Sequence, residues 1–316
     1  MPTICKEDSF MTTRLSKRRF AARLLAGAVI STAISSALAL KVDMYAIGNW
    51  SGGNCAPGDT DSDRGAWPGM AQSWYDWMGV MGNAKTGKFV DGNTTLQRFC
   101  DPAFNANCKD YVYVDWPDAA IVALHGFDAG DAWGGLMRNS WNGRCSLKMG
   151  TSTGTTFVGD NNLKFLHASS CLSLNDSYFS NMRVAMKKQN SSSTKGLHVM
   201  TGFHGLMWIS SSFNGDYADT AVDGHIMPVA NAWVTNHHKN NQFSCAAWDP
   251  FGWFGTCQDQ CPTAMTVGPT AANALYRLTH ERYNNSASFG PPTGRNYYAW
   301  MGYLGCDPVG QDGFNP

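Results

Sequence analysis

Charged side chains are scarce. Asp, Glu, Lys and Arg together make up 15% of the 316 residues, against about 25% in an ordinary soluble domain. The 24 basic and 24 acidic groups cancel to zero formal charge. That balance supplies no electrostatic footprint for DNA or RNA, which needs clustered Lys and Arg, so no nucleic-acid partner is expected. Repeats at solenoid periods and long low-complexity tracts are also missing, and one compact body is the default. What is abundant is apolar and small: 43% of residues are hydrophobic and 33 are Gly, enough for a sizeable core.

The N-terminal residues read as an export signal. Lys17-Arg18-Arg19-Phe20 precedes an apolar run from Leu24 to Leu40, with Ala37-Leu38-Ala39 as a small-residue cleavage site. A basic flank, an apolar middle and small residues at the cut define such signals, and the flank resembles a twin-arginine signal. The run is interrupted by Ser and Thr and is marginal against the roughly 20 apolar residues of a membrane span. The expected division is residues 1–39 as signal and 40–316 as a single domain, secreted or periplasmic, with no stable span after cleavage. Removal takes away six basic and two acidic groups and leaves a mature charge near −4.

Nine cysteines remain after cleavage: Cys55, Cys100, Cys108, Cys145, Cys171, Cys245, Cys257, Cys261 and Cys306. An oxidising compartment favours disulfides, and an odd number leaves one thiol over. Eight lie among Gly, Asn, Asp, Pro and aromatic residues, as loop disulfides do. Cys171 instead ends the apolar segment Leu163–Cys171 and is the candidate free thiol. Cys257-x-x-x-Cys261 has no partner pair at zinc spacing, so no metal and no organic cofactor is expected.

Short continuous apolar runs, the mark of buried parallel strands, cover Val42–Ile47, Ala119–Leu124, Leu163–Ala168 and Leu197–Met200. One helix is expected after a cap at Asp176 or Ser177, with Phe179, Met182 and Met186 on one face. Another runs from Pro269 through Ala271, Leu275 and Leu278 to Tyr283. Strand and helix in alternation predict a three-layer α/β sandwich with a mainly parallel central sheet and disulfide-rich loops. Ligands bind beyond the carboxyl ends of such strands. His125-Gly126 and Cys171 both fall there.

A neighbouring imidazole lowers a thiol's pKa and carries its proton, while a glycine amide can face a developing oxyanion. Val122-Ala-Leu-His125-Gly126 followed by Phe165-Leu-His-Ala-Ser170-Cys171, with two Ser before the Cys, resembles the paired blocks of caspase-, legumain- and gingipain-like cysteine peptidases. Leu197 to Gly205 is similar to a block of an uncharacterised family of secreted bacterial proteins with the same layout. The resemblance implies a caspase-like fold and a peptide or protein substrate. It also implies His125 as base, Cys171 as nucleophile, and the Gly126 and Cys171 amides as oxyanion donors. The caspase motif Gln-Ala-Cys-Arg-Gly and a recognisable specificity pocket are absent.

Blander readings stand beside these. Cys171 can be a core thiol and His125-Gly126 a turn. His204 is a rival base or a pocket residue, and His167 reads as structural. Asp128 and Asp131 either meet a basic substrate side chain or cap local structure. The alternative function is a non-catalytic secreted binding or cell-surface protein on a degenerate peptidase-like fold.

Overall fold

The computed structural model describes residues 39–55, 63–150, 156, 158–186, 196–240, 259–292 and 296–306. The proposed signal, Cys245 and Cys257 lie outside them. Seven strands form one sheet in the order β10-β9-β8-β7-β3-β1-β2. They are β1 (Lys41–Ala46), β2 (Ala84–Val90), β3 (Ala119–Ala123), β7 (Phe165–Ser169), β8 (Val199–Phe203), β9 (Pro262–Gly268) and β10 (Tyr297–Gly302). All neighbours pair in parallel except β8–β9 and β9–β10, so β9 alone runs against the rest. β4 (Gly126–Asp128), β5 (Trp133–Trp141) and β6 (Arg144–Met149) make a separate antiparallel sheet.

The central strands β3, β7 and β8 are buried along their whole length, which is why their sequences run apolar without alternation. Helix α1 (Ala66–Val80) carries Trp67, Met70, Ala71, Trp74, Tyr75 and Met78 on its buried side. It packs over β1 and β3, while α3 (Asn214–Ile226) packs on α1, and α4 (Val229–His237) on α3 and β9. On the opposite face, Phe179 of α2 (Phe179–Ala185) meets the rings of Tyr298 and Trp300. Tyr45 packs on that same side against Phe89 and Phe99. The fold is therefore α/β, with a mixed and mostly parallel sheet flanked by helices.

Two capping expectations need correction. The turn before α2 is capped by Asn175, whose Oδ1 accepts the Ser177 N–H at 2.9 Å, not by Asp176 or Ser177. An Asx side chain reaching two residues on accounts for the shift. Helix α5 (Ala271–His280) is capped by Thr270, whose Oγ1 accepts the Asn273 N–H. A hydroxyl cap there leaves Pro269 outside the helix.

Among the described residues three disulfides join Cys55 to Cys145, Cys100 to Cys108 and Cys261 to Cys306, and Cys171 is a free thiol. Among the described residues no helix is long and apolar enough to cross a membrane. The disulfides are compatible with an extracytoplasmic location.

His167 sits in the core of β7. Tyr283 takes the Trp74 indole N–H on its hydroxyl oxygen and lies 2.7 Å from His167 Nε2, while Nδ1 lies 2.8 Å from Thr201 Oγ1. The chain of bonds closes if Tyr283 donates to Nε2 and Nδ1–H donates to Thr201. Burial pushes this imidazole down to about 3. An unfolded imidazole titrates near 6.5, so between these values the unfolded chain binds a proton that the native state refuses. Stability therefore falls as pH drops through that window, by up to about 1.4 kcal/mol per unit. His167→Gln should cost about 1–3 kcal/mol at pH 7.5. Denaturant titrations from pH 7.5 to 4.5 should show its acid slope shallower by one proton; an unchanged slope would contradict this burial.

Candidate functional site

Parallel pairing of β3 with β7 puts Ala123 opposite Ser169. Two residues beyond that last pair come His125 and Cys171, on one rim at the carboxyl edge of the sheet. The chain cannot continue straight past β7. The Ser170 N–H bonds back to the Ala168 carbonyl, and the buried Ser173 hydroxyl donates to the Ala168 and Ser170 carbonyls and accepts from the Phe203 N–H. Leu172, directly after the thiol, has φ +58°, a left-handed conformation uncommon for a branched side chain and often found at functional sites. Its N–H is held by the Gly205 carbonyl at 2.9 Å.

Gly126 lies directly against this turn. A Cβ at that position would meet the Cys171 carbonyl oxygen at 2.0 Å and Ser170 Oγ at 2.3 Å, so the backbone of the His-Gly segment presses on that of the Ser-Cys turn. Only glycine permits this approach.

The thiol is partly buried, and burial is the dominant influence, pushing its pKa up. Three weaker influences oppose it: the Met207 N–H, which donates to Sγ at 3.4 Å, the cysteine's own amide, and the positive charge of Arg64. In the resting protein the sulfur therefore stays protonated, and removal of its proton needs a base.

His125 is enclosed by aromatic rings. Its centroid lies 4.5 Å from that of Trp50 and 4.9 Å from that of Trp67. Trp67 belongs to the first turn of α1, and Trp50 to the loop after β1. The Asp63 carboxylate ties that loop down, accepting from the Trp50 and Ser51 N–H groups and the Ser51 hydroxyl. These bonds hold Asp63 below the usual carboxylate range. The Cys55–Cys145 disulfide and an Arg138 bond to the Ser51 carbonyl fasten the loop to β6 and β5.

The remaining residues singled out in sequence fall as follows. Asp128 on β4 is exposed and accepts the Gly130 N–H at 2.7 Å, a local turn, and Asp131 is exposed beside it. His204 is buried; its Nδ1 accepts the Asp176 N–H and its carbonyl accepts from Asn175. Arg64, Met207 and Trp50 carried no sequence signal for this place, because they arrive on segments distant from β7, and Ser173 gave none because its part in the turn is a matter of backbone bonds.

Other polar clusters lie elsewhere. Carboxylates of Asp110, Asp115 and Asp160 approach within 4.8 Å of one another, a grouping able to hold a cation. Burial and Asp160 push Asp115 well up. His238, Asp259 and Cys306 also group together, but Cys306 is in a disulfide. A cavity of about 610 Å³ lined by Asn273, Tyr276, Arg277, His280 and Phe289 opens beside the end of β9. Because β9 runs against its neighbours, that cavity sits at the edge opposite Cys171.

The close approach at Gly126 is testable. Gly126→Ala should destabilise the protein by about 1–3 kcal/mol and disturb the setting of Cys171. Gly65→Ala, where an added Cβ meets nothing within 4 Å, should stay within about 0.5 kcal/mol. Thermal melts of both variants check this, and equal, small effects would contradict the contact.

No curated protein and no solved structure matches the chain. A family model described as a domain of unknown function (DUF6345) matches residues 68–275, about two thirds of the chain and inclusive of both His125 and Cys171. The chain belongs to that family.

Proposed function

We propose that the chain is an exported cysteine-dependent hydrolase, a peptidase with a caspase-like arrangement, acting on amide bonds through a thioester. The observation that carries this reading is the β3–β7 register, which brings His125 and the free thiol of Cys171 to one rim. The His-then-Cys order on adjacent parallel strands, the glycine pressed against the thiol's turn and the left-handed residue behind it support it further.

In this reading His125 takes the Sγ proton as the sulfur attacks the substrate carbonyl carbon. The carbonyl π electrons move to oxygen, and the oxyanion is met by the Gly126 and Cys171 amides. His125 returns the proton to the leaving amine as the C–N bond breaks. Water, deprotonated by the same imidazole, then displaces the thiolate from the acyl group. Asp128 and Asp131 stand on the adjoining hairpin as acceptors for a basic substrate side chain.

The test is brief iodoacetamide labelling of the folded, unreduced mature protein from pH 5 to 9, followed by peptide mapping. Alkylation at Cys171 near neutral pH is expected to fall at least tenfold in His125→Ala. Labelling only after denaturation, or labelling indifferent to His125, would overturn the hydrolase and favour a secreted binding protein.

A further inference from the structure

The two tryptophans around His125 do more than fill space. Trp50 and Trp67 are fully buried, yet neither indole N–H has a hydrogen-bond partner among the described residues. Burying an unsatisfied donor is costly, so the polar edges of these side chains do not explain their placement. Their rings are placed with care. The two indoles lie 6.1 Å apart and tilted by 58°, each within 5 Å of the imidazole, one tilted to it by 51° and one nearly perpendicular. Each is anchored separately, Trp50 through Asp63 and Trp67 through an N–H bond to the Arg64 carbonyl.

An indole ring attracts a cation placed over its face within about 6 Å of its centroid, and the attraction grows when water is excluded. A neutral imidazole gains little from such a neighbour and an imidazolium gains much. We propose that Trp50 and Trp67 are positioning residues for His125: they fix its ring at the end of β3 and stabilise its protonated form, so that it holds the proton taken from Cys171. The proton moves from Sγ to the ring, and the bonding pair stays on sulfur. This rests on the hydrolase reading for its purpose, but not for its geometry.

Other charges on the elements around His125 do not replace this effect. From the loop entering α1, Arg64 is a cation near Cys171 that favours the thiolate and not the imidazolium. Asp63 spends its oxygens on Trp50 and Ser51. Asp91, which anchors the same loop, accepts the Gly48 and Asn49 N–H groups. Arg138 of β5 bonds to the Ser51 carbonyl. On the hairpin, Asp128 and Asp131 are exposed, where solvent screens them. The two indoles distinguish the two protonation states without carrying a charge.

The test is NMR titration of the His125 ring in histidine-labelled mature protein. Trp50→Leu and Trp67→Leu should each weaken proton binding at His125 by up to about tenfold. Trp67→Phe, which keeps a ring face, should restore most of the loss. Because either leucine variant can misfold, mono- and difluorotryptophan incorporation supplies a second arm. Fluorine drains the ring face while preserving shape, so His125 proton binding should weaken stepwise with fluorine number. A His125 titration that does not move with fluorination overturns the proposal. If it moves while Cys171 alkylation ignores His125, the aromatic effect stands and the hydrolase reading is the one that fails.

Discussion

The arrangement depends on how β3 and β7 pair. Their parallel register sets His125 and Cys171 level with each other, and side-chain packing does not set it alone. The backbone contact between Gly126 and the Ser170–Cys171 turn locks it, because any side chain at 126 would collide with the Cys171 carbonyl. A slip of one residue would send each strand's side chains to the opposite face. With β3, β7 and β8 buried on both faces, that slip is expensive.

The thiol that results rests in its protonated form. Burial keeps it protonated, and the Met207 amide and the Arg64 charge lower the cost of ionising it without removing that cost. In the proposed hydrolase, that resting state would keep the sulfur quiet until base and substrate act together. The loop carrying Trp50 is rich in Gly, Asp and Ser. The structure fastens it through Asp63, Arg138 and the Cys55–Cys145 bridge. Precise placement of Trp50 against His125 from a loop needs such fastenings, since ordering a loop costs conformational entropy.

Much of the sheet was legible because its central strands are short, apolar and bounded by polar turns. Val42–Ile47 is offset from β1 by one residue, and Ala119–Leu124 runs one residue past the end of β3. The 197–200 run, by contrast, stops short of β8, whose Thr201 and Gly202 hide it from an apolar criterion. β2, with four exposed positions including Lys85 and Lys88, and β10, an edge strand of mostly half-buried residues, carry no continuous apolar signal. The hairpin sheet β4–β6 was equally silent. At the site, His125, Gly126 and Cys171 were visible as strand ends. Trp50, Trp67, Arg64 and Met207 were not, because they reach the rim from distant loops and their roles exist only in three dimensions. His204 has a His-Gly neighbour in sequence just as His125 does, but the fold buries it against Asn175 and Asp176.

The most direct measurement is covalent trapping. The folded mature protein would be incubated with a set of peptidyl acyloxymethyl ketones differing in the residue next to the reactive carbon, and adducts mapped by mass spectrometry. The proposed dyad predicts a single thioether on Cys171 with a subset of these peptides, absent in His125→Ala. No adduct with any peptide, or adducts that appear only with unfolding, would contradict it.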